Sequence, residues 1–401
     1  MMRAVALEEG EASARRALDG AGRLIKVRGL GVDSEAMITR MLACVFLTAL
    51  VAVACVAPAG AKSRAGREPR LVFGVYPGGG AGTVGPTGVV KPEDPALRLA
   101  ALNQLRAPGR PFVLRLYAQY TGTGGSSAEQ QVGQEIKTYG RAGFQTEVVL
   151  CYRPAGGGSA ADVSGFVGFV DDAVRSLGRL RGFASLQVTN EANQGGSPNT
   201  SDGFYAGAAH ALIAGVLAAK RETRLQGVKR IAVGFNWANA NDPAEGSFWR
   251  YLGRHGGRRF VKALDWVGAD VFPGTWGPEL GSAGIASSTA TFMDAALRRL
   301  RSTYLPLAGI PHAVPLRVTE SGYPTGPARS AATQLTVMKA SVREVYRVRG
   351  TYNLTGYRWF DLRDADSSSP SFESQYGLMR DDYSPKPAFG SYRSLVAQFS
   401  R

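Results

Sequence analysis

Residues 183–191 read Phe-Ala-Ser-Leu-Gln-Val-Thr-Asn-Glu. Six residues of strand character follow Gly182, and the run ends on two polar residues, Asn190 and Glu191. A short apolar run bounded by glycine is what a buried strand looks like. Seven more runs of this kind surround it: 71–77, 111–120, 145–154, 230–238, 264–273, 315–323 and 356–362. Between them the apolar period lengthens to that of a helix. Val163, Phe166, Val170, Val174 and Leu177 form one such stripe, and Leu335, Met338, Val342 and Val345 form another. Residues 203–219 and 289–304 also read as helical. Eight strands alternating with helices predict an α/β chain closed into a (β/α)₈ TIM barrel, with a doubly wound sheet as the alternative.

The rest of the chain limits the choice of function. It has 401 residues, 44% hydrophobic and 20% charged, which is globular composition. Three cysteines exclude a disulfide scaffold, and His210, His255 and His312 form no ligand spacing, so neither a metal nor another cofactor is expected. Residues 41–57 are an unbroken apolar run preceded by Arg40 and followed by Ala59-Gly60-Ala61. That pattern predicts a signal peptide over 37–61 and a secreted product; a membrane anchor, or a lipid on Cys55, is the alternative. Residues 1–36 hold six acidic residues, which does not suit a signal's positive region, and read as a non-native N-terminal extension. The catalytic domain is then 62–401. Its only cysteine is Cys151, expected as a buried apolar side chain.

The net charge is +15, and loss of residues 1–61 leaves it near +14. No motif supports nucleic-acid binding. The run Arg254, Arg258, Arg259 and Lys262 reads as a solvated face, with contact to an acidic cell-wall polymer as its alternative. The loop at 78–82 is glycine-rich but lacks the Lys-Ser/Thr ending of a phosphate loop. The chain is expected to act as a monomer.

Barrel active sites lie at the C-terminal ends of the strands. Strand 4 ends in Asn190-Glu191 and strand 7 in Glu320, while strand 6 ends Asp270-Val271-Phe272-Pro273. Two carboxyl groups at one barrel mouth suit cleavage of a glycosidic bond, where one protonates the leaving oxygen and the other attacks or activates water. Arg115 and Tyr117 stand two apart on strand 2 and so share a face; Arg115 would favour the ionised form of the nucleophile. Asn236 and Trp237 on strand 5, Trp276 beyond strand 6, Tyr323 beyond strand 7 and Trp359 on strand 8 are further candidates for contact with a carbohydrate.

These segments resemble a known group. VTNEANQ (188–194), VTESGYPTG (318–326), YRWFDLRD (357–364) and YGLMRDDYSPKPAFGSYRSL (376–395) are similar to signatures of the clan A glycoside hydrolases, the cellulase- and glucanase-like retaining barrels. The resemblance spans most of 70–398 and assigns no family within the clan. It implies retention of configuration, Glu191 as acid/base, Glu320 as nucleophile, Asn190 on the sugar 2-hydroxyl and Trp359 beneath the ring. Phe272 stands where many members carry a tyrosine touching the nucleophile, which leaves Tyr117 and Tyr323 as candidates for that role. A transglycosylase using the same glutamates, and a carbohydrate-binding or cell-wall barrel without turnover, are the alternatives to hydrolysis.

Overall fold

The computed structural model describes residues 68–79, 90–122, 126–240, 242, 244–281 and 284–400. The extension and export segment expected at 1–61 lie outside the described residues, as do most of the glycine-rich loop and the remainder up to 67. Residues Arg67–Arg401 form one compact unit.

That unit is a closed barrel of eight parallel strands in chain order: β1 (Val72–Val75), β2 (Phe112–Tyr120), β3 (Gln145–Tyr152), β4 (Phe183–Val188), β5 (Ala232–Ala238), β6 (Trp266–Asp270), β7 (Leu316–Ser321) and β8 (Leu354–Trp359). Each falls within or overlaps one of the eight apolar runs. β1 closes the barrel on β8, with Val75 opposite Trp359. Helices alternate with the strands, among them Val163–Leu177 and Ala331–Tyr352. The first starts where Asp162 accepts from the Gly165 amide at 2.9 Å, and the second where Ser330 accepts from the Thr333 amide at 3.0 Å. Both are N-caps that satisfy otherwise orphaned donors. The second ends at Asn353, in the left-handed region at φ 55°. No helix among the described residues is long and apolar enough to cross a membrane.

Side-chain alternation divides the strands into two faces. The outward face supplies the apolar layer under the helices. Trp359 and Tyr357 pack against Tyr392 of the last helix, and Trp237 packs against Tyr304. The inward face is polar over its middle. Glu147 of β3 lies fully buried, with Arg317 of β7 at 2.8 Å, Arg115 of β2 at 3.3 Å and Arg358 of β8 at 3.6 Å. Burial alone would raise the Glu147 carboxyl, but the charges of Arg358, Arg317 and Arg115 hold it below its ordinary value. Gly74 makes room for this layer: a Cβ there would lie 2.6 Å from Cδ of Arg358 and 2.2 Å from the Val113 carbonyl oxygen.

Removing Glu147 strips two buried guanidinium groups, Arg115 and Arg358, and the half-buried Arg317 of a common counter-charge. Glu147→Ala is expected to lower the unfolding free energy by about 3–5 kcal/mol, the usual cost of breaking a buried pair. Denaturant unfolding measures it; a loss below about 1 kcal/mol would show that the network contributes little to holding the barrel.

Candidate active site

The inward-facing groups continue upward from this polar layer. Arg115 is fully buried. Its Nε and one terminal nitrogen donate to Glu320 Oε1 at 3.3 and 3.1 Å, while the other terminal nitrogen donates to Gln187 Oε1 at 2.7 Å. Two residues along β2, the Tyr117 hydroxyl donates to the same Glu320 oxygen at 2.5 Å. Burial keeps that phenol well above its ordinary value, so it remains a donor. Glu320 Oε1 is therefore held by three donors, and no protein donor among the described residues reaches Oε2.

Glu320 reaches the mouth through an irregularity. On strict alternation Arg317 and Thr319 share the inner face, and Glu320 would turn to the helices. The register shifts between β6 and β7, so that Ala269 pairs with Val318 but Asp270 with Glu320. A second shift against β8 lies between Val318 and Ser321. Such bulges re-aim side chains at barrel rims.

Glu191 is placed by strained backbone. Thr189 and Glu191 both lie in the left-handed region, at φ 63° and 51°. For a β-branched threonine this is an uncommon conformation that its surroundings must enforce. They do so through several bonds. The Thr189 amide donates to the Leu150 carbonyl, and the Thr189 carbonyl accepts from Gln187 Nε2 at 2.8 Å. The Asn190 amide donates to Asp202 Oδ2 at 2.7 Å, and the Glu191 amide to Asn236 Oδ1 at 2.8 Å. The carboxyl itself accepts from the Ser201 hydroxyl at 2.5 Å on Oε2. Burial, then the charge of Glu320, raise the Glu191 carboxyl to about 8.

One oxygen each of Glu191, Asp270 and Glu320 lie within 4.8 Å of one another, and no second such group of His, Cys, Asp or Glu exists among the described residues. The trio faces a cleft of 1360 Å³. Asn190, Tyr117 and Trp276 also line it, and Trp276, 52% exposed, offers a ring face on the rim. Five candidates do not line it. Trp237 and Trp359 are fully buried and face the helices; the Trp237 indole donates to Glu245. Adjacent residues of a strand face opposite ways, so with Asn236 and Arg358 inward both tryptophans must point outward. The aromatic group of β8 that does line the cleft is one residue further on: Phe360, stacked on Tyr76 with centroids 5.8 Å apart. Asn236 lies beneath the cleft, bonded to Asn190, Asp270 and the Glu191 amide, and so orients protein groups. Arg115 likewise acts from below, through Glu320. Tyr323 sits off the cleft under the Arg329 guanidinium, 5.0 Å from its ring, so Tyr117 alone supplies the phenol to Glu320.

Sequence reading missed Asp202, Ser201, Phe360 and the part played by Asp270. The first two lie ten or more residues beyond Asn190, where Ser201 leads into the single 3₁₀ turn Asp202–Phe204, too short to leave a period in the sequence. Cys151, outside the cleft lining, is buried and unpaired; burial, then the charge of Asp202, push its thiol up to about 12.

No family model matches the sequence, and no curated protein matches it. Solved structures do match in fold. A subfamily 5_18 glycoside hydrolase from Streptomyces cattleya in complex with GlcNAc has a TM-score of 0.57 at 17% identity, covering 83% of this chain and 81% of that one. A fungal β-1,4-galactanase structure gives 0.53 at 13%, covering 80% and 99%. A family 39 glycoside hydrolase from Bacteroides cellulosilyticus gives 0.51 at 17%, covering 83% and 64%. These are clan A glycoside hydrolases, and with the chain they share an eight-stranded parallel barrel.

Asp202 is the buried support of the Glu191 turn. Its Oδ2 accepts from both the Tyr152 and Asn190 amides, at 2.6 and 2.7 Å. Asp202→Ala orphans both donors and is expected to cost about 2–5 kcal/mol. Asp202→Asn keeps one carbonyl oxygen for both and should cost less. Burial raises the Asp202 carboxyl to about 7. A carboxyl raised in the folded state contributes most at low pH and loses that contribution as pH rises from about 4 toward 7. The Asn variant should therefore gain on wild type over that range. Thermal unfolding of both variants from pH 4 to 8 checks this; equal losses in the two, or no pH trend, would count against it.

Proposed function

We propose that this chain is a secreted retaining glycoside hydrolase that cleaves β-linked polysaccharides or oligosaccharides. The observation that carries the reading is the placing of Glu191 and Glu320 across one cleft, their nearest oxygens within 4.8 Å, with Glu320 Oε1 bound by Arg115 and Tyr117 and Oε2 left without a donor among the described residues. Retaining enzymes hold their two carboxyl groups roughly 5–5.5 Å apart, against about 6.5–9.5 Å for inverting ones. The spacing favours direct attack by Glu320 over activation of an intervening water.

In the first step Glu320 Oε2 bonds to the anomeric carbon as the glycosidic C–O bond breaks. Glu191 gives its proton to the departing oxygen. The electron pair of the broken bond stays with that oxygen, so the leaving sugar departs as a neutral alcohol. In the second step Glu191, now ionised, takes a proton from water. The water oxygen attacks the anomeric carbon, releasing Glu320 and the sugar with its configuration retained. Arg115 and Tyr117 stabilise the carboxylate released in this step and bind it in the free enzyme. Transfer to a sugar acceptor instead of water would use the same groups.

The cleft exceeds the roughly 300–1,000 Å³ of sites for small ligands, which supports more than one sugar ring. Glu93, Glu135, Glu191, Asp270, Glu320 and Glu373 line it against Arg98 and Arg153. Despite the basic chain, such a lining suits neutral sugars better than anionic ones. Arg254, Arg258, Arg259 and Lys262 are exposed, and any contact with an acidic wall polymer belongs to them. Among the solved neighbours, two subfamily 5_18 enzymes are complexed with Manβ1-4GlcNAc, and another neighbour is a β-glucosidase from Exiguobacterium marinum, which supports the β linkage. Export rests on the apolar run 41–57 and Ala59-Gly60-Ala61.

Azide separates the two roles. With an activated aryl β-glycoside, Glu320→Gly lets azide attack the anomeric carbon directly and should yield an α-glycosyl azide. Glu191→Ala still forms the covalent intermediate, which azide intercepts as the β-glycosyl azide. Each variant alone should lose several orders of magnitude in rate without azide. In wild type, kcat/KM should fall as pH rises through about 8, where Glu191 loses its proton, and Glu191→Ala should lack that limb. Proton NMR of the azides decides the assignment; interchanged anomers would reverse it, and full activity in either variant would remove that residue from the mechanism.

A further inference from the structure

Asp270 stands beside the two glutamates and takes no part in the steps above. It is 2% exposed, lines the cleft and pairs with Glu320 across the shifted β6–β7 register. Two bonds fix it from inside the barrel. Thr319 Oγ1 donates to Oδ1 at 2.6 Å, and Asn236 Nδ2 donates to Oδ2. The same Asn236 holds the Glu191 amide. Gly268 clears the space for Thr319, since a Cβ there would lie 2.4 Å from Thr319 Oγ1.

We propose that Asp270 is a third member of the catalytic group, a neutral carboxylic acid that donates a hydrogen bond to a ring hydroxyl of the sugar at the cleavage point. This rests on the glycosidase reading for the identity of the ligand, and on three arguments for the role.

The first is charge. The groups facing Asp270 are Glu320 on β7, Glu191 after β4, and Arg115 and Tyr117 on β2; Thr319 and Asn236 carry no charge. Among the described residues Arg115 is the one cation bonded to the trio, and Glu320 takes two of its N–H groups. Three ionised carboxylates around one buried guanidinium would leave excess negative charge away from water, which proteins relieve by protonation. Burial, then the charge of Glu320, accordingly raise the Asp270 carboxyl well above its ordinary value.

The second is where the proton can go. Asn236 Nδ2 cannot accept it. Were Asp270 to donate to Thr319 Oγ1, the buried Thr319 hydroxyl would need another acceptor, and among the described residues its only hydrogen bond is to Asp270. With Thr319 donating, both contacts inside the barrel are satisfied and the Asp270 O–H is left for the cleft.

The third is spacing. A single oxygen set about 1.2 Å off the midpoint of the line between two carboxyl oxygens 4.8 Å apart lies about 2.7 Å from each, which is hydrogen-bond range for O–H···O. One sugar hydroxyl can thus accept from Asp270 while donating to a neighbouring carboxylate. That would fix the ring against Glu320 and reduce the freedom lost on reaching the attack geometry.

The test compares Asp270→Ala with Asp270→Asn. An amide can point its oxygen at Asn236 and its NH₂ at the Thr319 oxygen, with one N–H still facing the cleft; the Thr319 hydroxyl then loses its acceptor, which lowers stability at every pH but leaves the cleft donor in place. If Asp270 is a neutral donor, the Asn variant should keep kcat/KM within about tenfold of wild type on an aryl β-glycoside, with unmoved pH limbs. The Ala variant should lose about 10²–10³-fold, the usual effect of removing one such donor. Equal, severe losses would show that a carboxylate is needed and overturn the proposal, as would an active Ala variant. Calorimetric binding of a β-linked oligosaccharide gives the same ordering without turnover, so a barrel that binds but does not cleave would defeat the hydrolase reading and still judge Asp270. Failure of wild type both to cleave and to bind would overturn both. Thermal unfolding supplies an independent readout. Asn cannot ionise, so the Asn variant should gain on wild type as pH rises from about 4 to 8. A gap that does not change with pH would show Asp270 ionised throughout and contradict the proposal.

Discussion

The Arg115 guanidinium is the group on which the rest of this site depends. It is fully buried, so its charge must be matched by contacts within the barrel. Below, it meets Glu147, which Arg317 and Arg358 also approach. Above, it meets Glu320, and to one side Gln187. A barrel of this kind is usually filled with branched apolar side chains. Here charged groups occupy that space, and their cost is offset only if each keeps its partner. The carboxylate that would attack the sugar is thus the upper end of a buried ionic column.

The opposite logic governs the other two acids. Glu191 and Asp270 have no guanidinium of their own, and each feels the charge of Glu320. Burial favours their neutral forms. Two of the three carboxyl groups within 4.8 Å of one another are thereby pushed toward their neutral forms. The cation lies on one side only, and the donors to Glu191 and Asp270 are neutral: Ser201, Thr319 and Asn236.

Much of this was legible in the sequence, and the parts that were not share a physical cause. The eight strands could be read because each is a short apolar run between turn residues. Strand ends then indicated Asn190, Glu191 and Glu320, and the two-residue spacing put Arg115 with Tyr117. What could not be read was the inward or outward sense of individual residues. Trp237 and Trp359 were candidates because they are aromatic, and alternation from Asn236 and Arg358 turns both outward. The partnership of Asp270 with Glu320 depends on a one-residue register shift, which leaves no mark in composition or period. Asp202 and Ser201 support Glu191 from the start of one short 3₁₀ turn, where only the folded chain reveals proximity.

On the proposed mechanism Glu320 forms a bond to the sugar because Arg115 and Tyr117 hold one of its oxygens and leave the other to react. Incubation with an activated 2-deoxy-2-fluoro β-glycoside, whose fluorine slows release of a covalent intermediate, tests it directly by intact-mass and peptide mass spectrometry. One added fluoroglycosyl group is expected, located on Glu320. A label on Glu191 or Asp270, or turnover with inverted configuration and no label, would rule out Glu320 as the nucleophile.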